Sequence, residues 1–326
     1  NYFSNYLPFP ALKHEKMFTF AGKLHINNFS CIMANVIKIK KGLDINLKGK
    51  ASDVLLNGGK SDSYAIVPDY YNGIVPKVVA KVGEKVKAGS VLMIDKNRPE
   101  IKFVSPVSGE VTAVNRGEKR KVLSVVFKPE AQIEYEDFGK KNVASLKREE
   151  VKEAILHAGM WPFIKQRPYD IVASPADEPR DIFVSAFYSA PLAPNFDFVV
   201  KGQEVDFQTG LDALAKLTDG KVYVGIRKGS SVSVKGVETV EVEGPHPAAN
   251  VGGQINHIKP INKGEVVWTV NPADVIVIGR LFNKGIADFS RLVVITGSET
   301  TERGYVKAIA GCTIASLVDG KIMRGN

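Results

Sequence analysis

A chain of 326 residues is too long for one small core and suits two or three domains. An apolar share of 44% with no run near the ~18 residues of a membrane helix describes a soluble globular protein, attached to a membrane only through a partner. The net charge of +9 sits in short patches, KIKK (38–41), RGEKRK (116–121) and SLKR (145–148), that lack interleaved aromatics, so solvated strand ends or attraction to an anionic membrane or acidic partner outrank nucleic acid. Two cysteines, Cys31 and Cys312, exclude a disulfide framework and an iron–sulfur cluster ligated by this chain alone, and they suit a reducing cytosol.

Residues 1–32 differ in texture from the rest of the chain and read as an N-terminal extension without a signal-peptide pattern. Alternation starts at once after Met33, the expected start of the folded protein. From Val36 to about Pro129 short period-two runs such as VIKIK, LDINL and EVTAV are broken by Gly and Pro, which predicts a β domain over 33–133. VVAKVGEKVKAGSVL and EVTAVNRGEKRKVLSVV echo one another as strand, Gly-Glu-Lys turn, strand, the pattern of a barrel-sandwich. Carriers of lipoate or biotin share that architecture and hold the cofactor on a hairpin lysine, here Lys96. Pro99 follows within the loop, fixes its own φ and removes a ladder donor, so the tip is too wide for a modifying ligase to read. A plain lysine in a polar loop is the simpler account of Lys96.

The pattern changes near Tyr135, and residues 134–288 are expected to form an α/β domain. SLKREEVKEAILHAG predicts a helix with Ser145 as cap, Glu149 and Glu150 at its positive end, Val151, Ala154, Ile155 and Ala158 on the buried face, and Gly159 closing it. DIFVSAF (181–187), a helical run over 205–217, KVYVGIR (221–227) and VETVEVEG then predict strand, helix, strand, strand in a parallel sheet. A dinucleotide needs glycines after the first strand, where backbone N–H groups meet the pyrophosphate. Pro191 and Pro194 stand there instead. The apolar runs DVIVIG and VVITG have the length of buried strands.

Taken together, MANVIKIKKGLDINLKGKA, AKVGEKVKAGSVLMIDK, FVSPVSGEVTAVNRGEKRKVLSVV, AGMWPFIKQRPYD, VEGPHPAANVGGQINHI and VVWTVNPADVIVIGRLF resemble the NqrA subunits of the sodium-translocating NADH:quinone reductases, from Met33 onward. The resemblance implies a mixed α/β chain: a barrel-sandwich-like β domain, a Rossmann-like parallel α/β domain without a Gly-rich cradle, and a partial β-grasp (SLBB) module over 289–326. It implies a peripheral subunit on the cytoplasmic side of the bacterial inner membrane, in a six-subunit complex that passes electrons from NADH to quinone and exports sodium ions. NADH, FAD, FMN, riboflavin and iron–sulfur clusters are then expected in partner subunits, and none on this chain. Kindred flavin-binding subunits keep a glycine run where Met160, Trp161 and Pro162 stand here. The module would still owe a strand at GKIMRGN, so the chain is expected to be shorter than the family's subunit.

A quinone site needs an apolar slot and a hydrogen-bond donor for each carbonyl oxygen. Trp161 and Phe163 suit the slot, with Lys165, Gln166 or Arg167 as donors, although a buried aromatic anchor with a helix-end salt bridge explains the same residues. His246, between two prolines and beside the flexible pair Gly252-Gly253, suits a quinone oxygen or a titrating switch, and a rigid interdomain loop suits it equally. His246 and His257 lack further ligands for a metal. No nucleophile motif appears. Quinone binding or docking within the complex is the expected role, with a lipoyl- or biotin-type carrier and an Rnf-type flavin subunit as rivals.

Overall fold

Short alternating runs fold as strands through the first third of the chain, punctuated by Gly and Pro. The computed structural model describes residues 36–323; the extension expected over 1–32, Cys31 and the start expected at Met33 lie outside the described residues. In chain order the strands are β1 (Val36–Lys38), β2 (Leu55–Leu56), β3 (Tyr64–Ile66), β4 (Pro76–Val78), β5 (Lys85–Val86), β6 (Val91–Asp95), β7 (Lys102–Val104), β8 (Gly109–Arg116) and β9 (Val122–Pro129). The second half contains α1 (Arg148–His157), β10 (Ile164–Arg167), β11 (Ile171–Val172), β12 (Ile182–Ser185), α2 (Phe196–Val200), α3 (Glu204–Lys216), β13 (Val222–Arg227), β14 (Glu238–Glu243), α4 (Val251–Ile258), β15 (Val267–Val270), α5 (Pro272–Lys284), β16 (Ser290–Ile295), β17 (Gly304–Ile309) and α6 (Ile314–Val318).

Two antiparallel sheets, β3-β9-β8-β5 and β4-β6-β7, share a core of Leu92, Val107, Val111, Val125 and Phe127. The two echoed segments fold differently: β8 and β9 pair across their Gly-Glu-Lys turn, whereas β5 leaves β4 and β6 to pair with β8. Val36–Lys38, expected to open the β domain, is instead the edge of the large sheet, parallel to β14.

That seven-stranded sheet runs β1-β14-β13-β12-β15-β10-β11, parallel as far as β15 and antiparallel beyond. The expected β12, α3, β13 and β14 occur in that order with parallel pairing. In α1 the expected apolar face is buried, and Gly159 ends the helix at φ +67°. The cap differs from expectation. Ser145 lies in a short turn and donates to Asn142 O at 2.9 Å, while Glu150 reaches back to accept the Lys147 N–H at 2.7 Å. DVIVIG is helical, not a strand: Asn271 accepts the Ala273 N–H, Pro272 opens α5, and Gly285 closes it in a left-handed conformation. The helices α3 and α5 cross where a Cβ on Gly279 would fall 1.7 Å from Asp206 O.

At the end of the described chain β16 and β17 form an antiparallel pair whose third strand is β2, from far upstream. The described chain from residue 36 belongs to one compact unit.

Candidate functional site

A cavity of about 800 Å³ opens where the β domain, the large sheet and the β16–β17 pair meet. Tyr71 and Phe103 form one aromatic wall, edge to face with centroids 4.8 Å apart. Phe163, just before β10, and Phe289, just before β16, form another at 6.0 Å. Polar side chains join these aromatic pairs in lining the cavity, from β10 (Lys165, Arg167), from the start of α5 (Asn271, Asp274) and from β16 (Arg291). Aromatic walls with a few convergent polar groups are the usual build of a small-molecule site.

The charges are coupled. Burial pushes the Asp274 carboxyl above the usual carboxylate range, against the pull of Arg291, 3.1 Å away, and of Lys165. Burial draws Lys165 below the usual lysine range, opposed by Asp170 and Asp274. Tyr71 and Tyr188 are both pushed up to about 12, first by burial and then by Asp274, so both are neutral hydroxyls at neutral pH. Tyr188 donates to Asn271 Oδ1 at 3.2 Å.

Of the residues singled out from sequence, Phe163, Lys165 and Arg167 line this cavity. Trp161 does not: it is fully buried, stands edge-on to Trp268 and donates to Ala173 O at 2.9 Å. Gln166 faces away, as strand alternation demands, and bonds Asp177 and the Ser174 N–H. His246 sits elsewhere, with Nδ1 3.0 Å from Ser189 Oγ and its N–H on Asp44. Gly252 and Gly253 belong to the first turn of α4, not to a flexible loop; Gly252 lines the cavity, and a Cβ there would meet Arg167 Nη2 at 3.0 Å. His257 bonds Gly253 O within its own helix, and no group of three or more metal-ligating side chains occurs among the described residues.

Sequence reading missed Tyr71, Phe103, Asp274 and Arg291. Each lies far along the chain from Lys165, in an unremarkable run, so only the fold brings them together. Asp274 in DVIVIG carried one usable signal, a lone acid entering an apolar run.

The other three cofactor positions weighed from sequence are also visible. Lys96 is exposed, but its loop is pinned down: Asp95 is buried and binds Arg98 at 2.8 Å, and Arg98 donates to Gly73 O within the β domain and to Val172 O of the large sheet. A swinging carrier arm needs a free tip. After β12, Pro191 and Pro194 line a separate cavity of about 600 Å³ and contribute no N–H to it. Where flavin-binding relatives were expected to keep a glycine run, Met160 and Trp161 are wholly buried in the core. Gly159 and Pro162 on either side of them line the large cavity.

Residues 37–130 match the family model "NqrA N-terminal barrel-sandwich hybrid domain", and residues 146–287 match "NqrA second alpha/beta domain". The NqrA subunit of the Na(+)-translocating NADH-quinone reductase of Hahella chejuensis is 36% identical over 292 residues, 88% of this chain and 65% of that protein. Its counterpart in Neisseria meningitidis serogroup A / serotype 4A is 35% identical over 293 residues, with 88% and 66% covered. That of Yersinia pestis bv. Antiqua is 34% identical over 296 residues, with 89% and 66% covered. The chain therefore spans about 66% of the length of these curated relatives. A solved NAD+-reducing [NiFe]-hydrogenase overlaps 45% of this chain and 33% of its own at 12% identity and a TM-score of 0.32, too slight a likeness to bear on function. With both domain models matched in chain order and this identity along most of its length, the chain belongs to the NqrA family, the NqrA subunits of the Na(+)-translocating NADH-quinone reductases.

Proposed function

We propose that this chain is a peripheral subunit of a sodium-translocating NADH:quinone reductase and that it receives a quinone ring in the large cavity. In this reading it holds no redox centre of its own; the flavins and iron–sulfur clusters belong to partner subunits, the membrane-embedded ones being its principal contacts. It sits on the cytoplasmic face of the membrane. No described helix is long and apolar enough to cross a bilayer, which accords with attachment through partners. The three-part division into β domain, α/β domain and C-terminal module accounts for the position of the cavity at their junction.

The observation that carries the quinone reading is the cavity's construction: aromatic pairs Tyr71–Phe103 and Phe163–Phe289 stand beside donors on Lys165, Arg167 and Arg291. A flat ring with carbonyl oxygens is the ligand class that uses both. Titration of the chain with a soluble short-tailed quinone, followed by NMR, tests it. Saturable shifts at the Gly252 and Asn271 amides are expected, and Phe163→Ala weakens binding by up to ~10-fold through loss of one aromatic contact. Absence of any saturable response makes the chain a docking subunit only.

A further inference from the structure

The large cavity carries more donors than acceptors. The two carboxylates that act on Lys165 are already engaged, Asp274 with Arg291 and Asp170 with Arg167, each at 3.1 Å. Lys165 is the third cation of this wall. It is half-buried and, among the described residues, makes no hydrogen bond or ion pair; its ammonium lies instead 5.4 Å from the centre of the Tyr71 ring. Arg291 Nε is buried and has no partner either among the described residues. The neighbouring hydroxyls of Tyr71 and Tyr188 stay protonated, so they supply no compensating charge.

A partly desolvated ammonium without an acid is unfavourable until something brings it an electron-rich oxygen. The face of Tyr71 offsets part of that cost, and the rest is open to a ligand. The aromatic lining suits a planar ring, and the ammonium favours a ring oxygen that carries negative charge.

We propose that Lys165 is the specificity-determining donor of this cavity and selects planar aromatic ligands with a negatively charged ring oxygen, a hydroxyquinone or quinol anion, over neutral rings of the same shape. The assignment rests on the quinone reading above and adds to it a charge preference and the residue that sets it. Arg167 and Arg291, each already in contact with an acid at 3.1 Å, leave the preference unchanged.

The test compares two soluble probes, naphthoquinone and its hydroxy derivative, which is ionised at neutral pH. Binding of each to the wild-type chain, Lys165→Met and Lys165→Arg is measured by calorimetry, with the amide spectrum of each variant as the check of folding; Lys165→Gln replaces the methionine variant if that one does not fold. The wild type prefers the anionic probe by ~10-fold or more, the yield of one charge-assisted hydrogen bond. The methionine variant loses that preference while still binding the neutral probe, and the arginine variant retains it. A wild type that binds both probes equally, or a methionine variant that keeps the preference, overturns the role of Lys165 and leaves the quinone reading standing. A wild type that binds neither probe overturns both.

Discussion

At the scale of single residues, position in the strand decides which of the adjacent candidates face the cavity. Lys165 and Arg167 point one way from β10 and Gln166 the other, so three neighbours in sequence divide between cavity and framework. That alternation was readable in principle; which face meets a cavity was not, because the walls come from Tyr71, Phe103 and Phe289, remote in sequence. Trp161 shows the opposite limit. An aromatic beside a proline reads the same in a binding slot and in a core, and its indole N–H is satisfied by Ala173 O inside the core. Asp181 is one buried carboxylate that contributes to acid stability. Burial pushes its carboxyl up, but bonds from Lys259, the Lys221 N–H and Arg180 outweigh burial and hold it below the usual carboxylate range. A depressed folded pKa stabilises above the unfolded value and loses that contribution as pH falls through the folded one. Denaturant unfolding of the wild type from about pH 6 to about pH 3 therefore shows a fall at the acid end that Asp181→Asn flattens, and at neutral pH the variant is less stable by about 1–3 kcal/mol.

At the scale of elements, the strands and helices with one clear period were legible: α1, β12, α3, β13 and β14 all lie where their patterns put them. DVIVIG was not, because an apolar run of that length fits a buried strand and a buried helix alike. The deciding signals were flanking ones, Asn271 and Pro272 before it and Gly285 after. The helix is buried along most of its length because it packs on α3 and shares one core with strands of the large sheet, and its glycine allows the close approach. Gly279→Ala would force a methyl against Asp206 O and is expected to cost about 1–3 kcal/mol or more. Gly253→Ala, in α4 with nothing within 4 Å of the added Cβ, is expected to stabilise by ~0.5–1 kcal/mol. Chemical denaturation of the two variants beside the wild type reads both signs; equal effects would contradict the packing described. The placements of β1 and β2 were hidden for another reason. Both are short strands whose partners, β14 and β17, come from distant parts of the chain, and local alternation specifies a strand but not its neighbour.

At the scale of the molecule, the chain's first described residues close two sheets of its second half, so the β domain is tied to both neighbours before its own strands begin. Arg98 adds a further tie, from the hairpin next to Lys96 to the carbonyl of residue 172 in the large sheet. The cavity lies at the junction these ties hold in place. A structure of the chain bound to a short-tailed quinone is the most direct test of a quinone site at this junction. The ring is expected between Phe163 and Tyr71, with a ring oxygen within hydrogen-bond distance of Lys165 Nζ. A quinone seated beside His246 or Pro191, or a cavity left empty at saturating quinone, would contradict it.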